Sequence, residues 1–357
     1  LQNFELDLRG HSSALLIGKN GAGKSSVGAA LEVLQRVGRG ASQASELVGA
    51  GDFAQGRTSA PMRFGLAVST GGLAWEYEVA FEVPAGRKEP MVFEESLAEG
   101  GELVYRRKLA EVEILAKVGK GPAAFDMDRQ KLALPVFQSG VADGLMGAVR
   151  SWLGRMLILR PVPGLITGDS REEILEPDAR VVQYGDWFAG MMASTPAAYG
   201  MVEAYLKEVM PSLKEIKNPL VAVDSRALSV VFANAGGELQ LPFEALSDGE
   251  KCFMIAALVL AAAKVHPPVF CFWDELDSHF ALSEAGHVAM ALRHAFRGSS
   301  QLLATSHHPE IIRKFSDENT FCLFRKSHLD PAQVRPLSDF QLSGDLINTL
   351  VIDGLEP

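Results

Sequence analysis

The stretch Gly18-Lys19-Asn20-Gly21-Ala22-Gly23-Lys24-Ser25 constrains this chain more than any other. It reads G-x-x-x-x-G-K-S. The apolar run Ala14-Leu15-Leu16-Ile17 before it predicts a short buried strand, and Val27, Leu31 and Leu34 after it sit at helical spacing. Glycines let the backbone point successive N–H groups inward, and a following helix N-terminus adds partial positive charge. In this strand–loop–helix setting such a loop cradles phosphate oxygens. Asn20, Gly21, Ala22, Gly23, Lys24, Ser25 and Ser26 are then the candidate nucleotide contacts. Lys24 is placed to reach the β- and γ-phosphates, and the Ser25 hydroxyl to ligate Mg²⁺. The plain alternative is a glycine-rich turn that happens to carry Lys-Ser.

The 357 residues suffice for one large or two ordinary domains, and 47% hydrophobic content supports a substantial core. No apolar run approaches the ~20 residues of a membrane span. The longest, residues 252–263, is Ala-rich and reads as a buried helix. No basic region followed by a signal-type apolar core opens the chain. It starts without Met, inside an expected strand at Phe4-Glu5-Leu6, so a few native residues are expected to precede it. Cys252, Cys271 and Cys322 lie far apart in apolar contexts and lack metal-ligand spacing. They read as small core residues of a protein from a reducing, cytoplasmic compartment. A net charge of −10 argues against a wholly basic nucleic-acid binder but leaves room for a local basic patch.

After the loop helix, residues 37–60 are rich in Gly, Ser and Ala and read as a loop. Trp75, Tyr77, Val79 and Phe81 then alternate with polar or small residues, which predicts a half-buried strand. Residues 63–68, 91–97, 102–105 and 111–115 predict further short strands. The pairs Gly71-Gly72 and Gly100-Gly101 mark hairpin turns. Together they predict an antiparallel β-subdomain. Residues 141–159 and 197–216 carry helical spacing, with a Pro- and Gly-containing loop at 161–178 between them. Val230 to Phe232 and Glu238 to Leu241, around Gly236-Gly237, predict a hairpin. The last third returns to α/β character. Val269-Phe270-Cys271-Phe272-Trp273 is a continuous apolar strand, as for a parallel strand buried on both faces. A helix follows over 285–296, with strands at 301–305 and 321–324.

Three more motifs carry chemistry. Asp274-Glu275 follows the apolar strand directly. A carboxylate at that strand end, beside a phosphate loop, can hold the Mg²⁺ shell, and the next can polarise an attacking water. Two acids after an apolar run are also a common strand terminus. Leu246-Ser247-Asp248-Gly249-Glu250-Lys251 opens the apolar helix. It is a capping box, with Ser247 as N-cap and Glu250 three residues on. Its exposed N-terminus, with Ser and Gly donors, is also an anion site. Finally, Thr305-Ser306-His307-His308-Pro309 follows a buried strand. A His there can hydrogen-bond a γ-phosphate. His307, first after the strand, is the better candidate and His308 the runner-up.

The ordered set G-x-x-x-x-G-K-S, L-S-D-G-E, apolar strand with Asp-Glu, and S-H-H-P resembles the ABC-type ATPase superfamily. Within it the chain is similar to the stand-alone SMC/RecF-like and OLD-like AAA ATPases of bacteria, whose G-x-N-G-x-G-K-S loop is matched through Asn20. The resemblance implies an α/β P-loop NTPase of ABC/SMC-head type: a mixed central sheet, an antiparallel β-subdomain and an inserted helical lobe. It implies Ser247, Gly249 and Glu250 as the signature, Glu275 and His307 as catalytic residues, and Ser25 and Asp274 on Mg²⁺. Asp277 falls on the D-loop position that speaks across a dimer. The expected division is 1–120 for the P-loop and β-subdomain, 121–260 for the helical lobe ending in the signature helix, and 261–357 for the Walker B, D-loop and switch-His part. The implied cofactors are ATP and Mg²⁺. The implied assembly is a head-to-head homodimer around two ATP. A separate effector, a nuclease or toxin as in anti-phage defence, is the implied partner.

The chain departs from the family pattern at two places. Asp248 stands where transporter-type signatures have Gly, and Leu276 where Pro often follows Asp-Glu. Gln138 has the setting for a Mg²⁺ and water contact between lobes; a loop glutamine without a catalytic role fits the same position. No segment resembles a long coiled-coil arm. The competing class is a DNA-binding clamp of RecF type. Arg106-Arg107-Lys108 with Lys117 and Lys120 would line its groove, or else form a solvated face. A transporter's nucleotide-binding subunit is the third class, opposed by the long insert and Asp248. No nuclease signature accompanies the ATPase motifs.

Overall fold

A computed structural model describes residues 1–115, 122–137, 143–315, 317–327 and 329–340. The chain divides into two compact units. One holds Asn3–Gly28 and Leu157–Pro357, the other Leu1–Gln2 and Ala29–Met156.

The first unit is built on a six-stranded sheet. From one edge its strands are Gln333–Pro336, Thr320–Phe324, Ser13–Ile17, Gln301–Thr305, Phe270–Trp273 and Leu157–Leu159. The last five run parallel; Gln333–Pro336 is antiparallel to its neighbour. Ser13–Ile17, Phe270–Trp273 and Leu157–Leu159 are buried at every position, so both faces are covered, which is why these segments read as unbroken apolar runs. The helix Asp248–Val265 is buried almost continuously from Lys251 to Ala263. A helix apolar around its whole circumference belongs inside a domain. It packs against the helices Tyr184–Ser194, Ala198–Val209 and Leu282–Ala295. The register pairs Leu16 with Thr305 and Ala304 with Trp273. The C-terminal ends of three parallel strands therefore align, and they lead into Gly18, Ser306 and Asp274.

The second unit is a six-stranded antiparallel meander: Met62–Thr70, Leu73–Glu82, Met91–Glu99, Glu102–Lys108, Glu111–Ile114 and Ala123–Asp126. The Gly71-Gly72 and Gly100-Gly101 turns have φ of 59°, 83°, 58° and 87°. Two consecutive positive φ values make the tight hairpin turn that glycine pairs favour. Gly38 lies against the backbone of Gly154, where an added Cβ would sit 2.3 Å from the Gly154 nitrogen. Only hydrogen fits that approach.

Four segments differ from their sequence expectation. Phe4-Glu5-Leu6 is not a strand. The helix expected over 141–159 is described as Asp143–Gly154, and Leu157–Leu159 leaves it to join the central sheet. The helix expected over 197–216 ends at Val209, because Pro211 cannot continue it, and Leu213–Lys217 forms a strand. Helical spacing persists in both segments because a short apolar strand after a helix extends the same pattern. The 37–60 segment contains the short helix Ala44–Leu47 and two single 3₁₀ turns.

Candidate functional site

The phosphate loop grows out of the buried strand Ser13–Ile17. At Gly18, φ is 149° and an added Cβ would lie 2.1 Å from the Leu323 carbonyl oxygen, so no other residue fits. Gly21 and Gly23 come next with φ of 79° and 116°. Ala22 N–H closes a turn onto Lys19 O at 3.0 Å. Among the described residues, the N–H groups of Gly21, Gly23, Lys24 and Ser25 donate to no backbone carbonyl. This cluster of free donors at the start of the helix Lys24–Gly38 is an anion cradle. Ser25 and Ser26 are exposed there. Gly28 lets the same helix lie against Phe272, whose ring a Cβ would approach to 2.4 Å.

Lys24 is 7% exposed. Its ammonium donates to Gly18 O at 2.5 Å and Lys19 O at 3.3 Å. Burial lowers its pKa, while Asp274, Glu275 and Asp277 pull it back up. Three carboxylates thus act on this ammonium, yet none forms an ion pair with it.

Asp274 is buried, and its N–H donates to Leu159 O at 2.8 Å. Thr305 Oγ1 donates to Asp274 Oδ1 at 2.7 Å and accepts the Glu275 N–H, also at 2.7 Å. The Leu276 N–H completes the clasp on Thr305 O at 2.9 Å. Thr305 therefore aims both acids, a role that reading it as the end of a strand missed. The available signal was a hydroxyl at a parallel strand end beside S-H-H-P. Glu275 sits at φ 54°, an uncommon left-handed conformation for a residue with a side chain. Its carboxylate is exposed and accepts from Ser278 Oγ at 3.3 Å. Asp277 Oδ1 is buried without a hydrogen-bond partner among the described residues.

The two histidines separate clearly. His308 precedes the helix Pro309–Phe315: its N–H donates to Ser306 Oγ at 2.9 Å, and its Nδ1 accepts the Glu310 N–H at 3.1 Å. His308 is thereby committed to starting a helix. His307 is half-buried at the strand end and has no hydrogen-bond partner among the described residues.

Ser247 caps the helix Asp248–Val265, as its spacing predicts. Glu250 N–H donates to Ser247 Oγ at 3.3 Å, and Ser247 N–H donates to Glu250 Oε2 at 2.8 Å. Ser247 and Asp248 are exposed. The contacts of this helix start run to the segment after Glu275, not to the phosphate loop. A Cβ at Gly249 would lie 2.8 Å from His279 O, and His279 Nδ1 is 3.6 Å from Asp248 Oδ2. The structure thus brings Lys24, Asp274, Glu275, Asp277 and Thr305 into one site and leaves Ser247 facing outward. Gln138 lies outside the described residues, as do Lys117 and Lys120.

Among the described residues, Arg106, Arg107 and Lys108 do not line a free basic groove on the antiparallel sheet. Arg107 is 2% exposed and bonds to the Leu109, Asp128 and Lys131 carbonyls. Arg106 pairs with Glu113 at 2.5 Å, and Lys108 faces Glu94 and Glu111 across the ladder.

Residues 13–122 match the family model described as "AAA domain, putative AbiEii toxin, Type IV TA system". No curated protein matches the chain. Among solved structures it is similar to an Smc head domain with a coiled coil and joint from Pyrococcus yayanosii, at 19% identity and a TM-score of 0.33. That match covers 41% of this chain and only 27% of the other. A second is an SmcHead bound to the C-winged helix domain of ScpA: 14% identity, TM-score 0.47, 92% of this chain and 90% of that one. A third is an Smc head with an extended coiled coil bound to the C-terminal domain of ScpA, from Pyrococcus furiosus: 13% identity, TM-score 0.44, 97% and 93% covered. Over residues 13–122 the family match bears out the AAA-domain part of the resemblance, and the sheet with its phosphate loop is a P-loop NTPase fold. No helix among the described residues is long and apolar enough to cross a membrane.

Proposed function

We propose, from the premise that residues 13–122 carry an AAA-type ATPase domain, that this chain binds and hydrolyses ATP with Mg²⁺ and uses it as a switch between two copies of itself. The observation that carries the reading is Lys24, desolvated and acted on by Asp274, Glu275 and Asp277 at the rim of a loop of free N–H donors.

The donor set suits the cofactor. Gly21, Gly23, Lys24 and Ser25 offer N–H groups to phosphate oxygens, and Lys24 adds a charge. The Ser25 hydroxyl and the Asp274 carboxylate are the hard oxygen ligands that Mg²⁺ takes beside phosphates and water. Bound Mg²⁺ would supply charge neutralisation at the phosphates. The chain's own work is positioning. Thr305 fixes Asp274 toward the loop and Glu275 toward solvent, where its carboxylate can orient a water. His307 is free to hydrogen-bond a terminal phosphate oxygen, and the backbone cradle excludes misaligned poses.

Ser247 is exposed with its capping box formed. In this reading a second copy brings its Ser247, Gly249 and Glu250 to the first copy's nucleotide, and Asp277 faces the partner. The matching family's description names a putative toxin of a toxin–antitoxin system. The output of the switch in this reading is a separate effector, a nuclease or toxin in anti-phage defence. Sedimentation of Glu275→Gln with and without Mg-ATP tests the switch. A doubled mass with ATP is expected, and an unchanged mass would overturn it.

A further inference from the structure

We propose that the cavity bounded by Ser12, Ser13, Met290, Arg293, His294 and Arg297 is a binding site for a single phosphate group, separate from the phosphate loop. Ser13 opens the strand that ends in Ile17 and Gly18. At ~3.3 Å per residue the two sites are roughly 16 Å apart, at opposite ends of that strand.

Positive charge stands here without counter-charge. Arg293 lies half-buried in the last turn of the helix Leu282–Ala295, and Arg297 follows just beyond it. Burial lowers the Arg293 pKa, and the positive charge of Arg297 lowers it further. Neither guanidinium makes an ion pair with a carboxylate among the described residues, although acids outnumber bases by 44 to 34 in this chain. Basic residues in a last helical turn answer the helix dipole. That accounts for Arg293 and His294 but not for Arg297, which lies outside the helix. Two like charges held together in an acidic protein are stabilised by an anion between them.

Donor geometry points the same way. Arg293 is already held: Nε donates to Ser13 Oγ at 3.2 Å, Nη1 to the Lys314 carbonyl, and its guanidinium lies 5.0 Å from the Phe315 ring. Because Ser13 Oγ accepts from Arg293, its own proton remains to donate. The strand side thus offers hydroxyls and the helix side guanidinium and imidazole N–H groups. Donors on facing walls suit a tetrahedral oxyanion better than a planar carboxylate. The guanidinium fork is the side chain best matched to phosphate oxygens.

Size narrows the ligand. The cavity holds about 120 Å³. Pockets for drug-sized molecules start near ~300 Å³, so a phosphoryl group fits and a nucleoside does not. The group arrives as free phosphate or as the end of a small phosphate monoester.

Calorimetry on the full chain carrying Lys24→Ala, which weakens anion binding at the phosphate loop, tests this. Inorganic phosphate should bind once, and Arg297→Gln in the same background should weaken it at least tenfold. Arg297 is exposed, so melting without phosphate should not change; if it does, Arg297→Lys, which keeps charge but loses the fork, should weaken binding as well. Glycerol phosphate separates the sources: tenfold weaker binding assigns a free ion, and equal binding a monoester. The proposal is overturned if Lys24→Ala binds no phosphate, if both Arg297 variants bind as tightly as their parent, or if acetate competes equally. None of these results depends on ATP hydrolysis.

Discussion

Arg107 in the antiparallel sheet and Lys24 in the phosphate loop are both withdrawn from water, but their surroundings differ in kind. Arg107 faces Glu95 at 4.0 Å, and both side chains are fully buried. Glu95 accepts from Tyr77 and Tyr105 at 3.0 Å each, and from the Ala133 and Leu134 N–H groups at 2.6 and 2.9 Å. Burial, then the Glu95 charge, pushes both tyrosine pKa values well above the usual range. Lys24 has two carbonyls, no ion pair, and three carboxylates acting on it without contact. A completed network is what a buried pair needs to be tolerated at all. An incomplete one marks a group kept for something that comes and goes. The same comparison explains why Arg107, which fitted either a DNA groove or a solvated face from sequence, is neither: it is buried.

Breaking each network should show opposite phenotypes. Glu95→Ala leaves Arg107 buried and unpaired and should cost about 3–5 kcal/mol, read as a lower urea midpoint. Lys24→Ala should weaken ATP binding at least about a hundredfold, roughly 2.7 kcal/mol, by titration, without lowering the melting temperature of the ligand-free chain. If Lys24→Ala destabilised the protein as Glu95→Ala does, the contrast would collapse. The pH dependence sharpens it. The folded pKa of Lys24 lies below 10.5, so between the two values the unfolded chain binds more protons. Stability of the ligand-free protein should rise with pH through that window, and Lys24→Met should remove the rise.

The paired histidines offer a finer division. His307→Ala should lower kcat about ten- to a hundredfold with little change in melting. His308→Ala should lose a helix start, costing about 0.5–2 kcal/mol. A kcat loss confined to His308→Ala would reverse the assignment. The smallest effect is expected at the thiols. Burial pushes Cys252 and Cys322 up to about 12, so neither should react with a thiol reagent at pH 8 in the folded protein. Labelling should appear only on unfolding.

Much of the site was legible because its residues obey local rules. The G-x-x-x-x-G-K-S loop needs glycine at left-handed positions, the capping box is a three-residue spacing, and parallel strands buried on both faces must be apolar throughout. Gly71-Gly72 and Gly100-Gly101 announced their hairpins for the same reason. Pairings distant in the chain set the rest. Leu157–Leu159 became the edge of the central sheet only because Phe270–Trp273 offered it a partner. Thr305 became the clasp of Asp274 and Glu275 through the register of two neighbouring strands, although Thr305 and Asp274 stand 31 residues apart. Arg107 was turned inward by Glu95, two strand neighbours meeting across a ladder, and no local spacing records which face of a sheet a guanidinium will take. Short-range geometry is written in residue order; which charges end up facing each other depends on packing, and packing is a property of the whole fold.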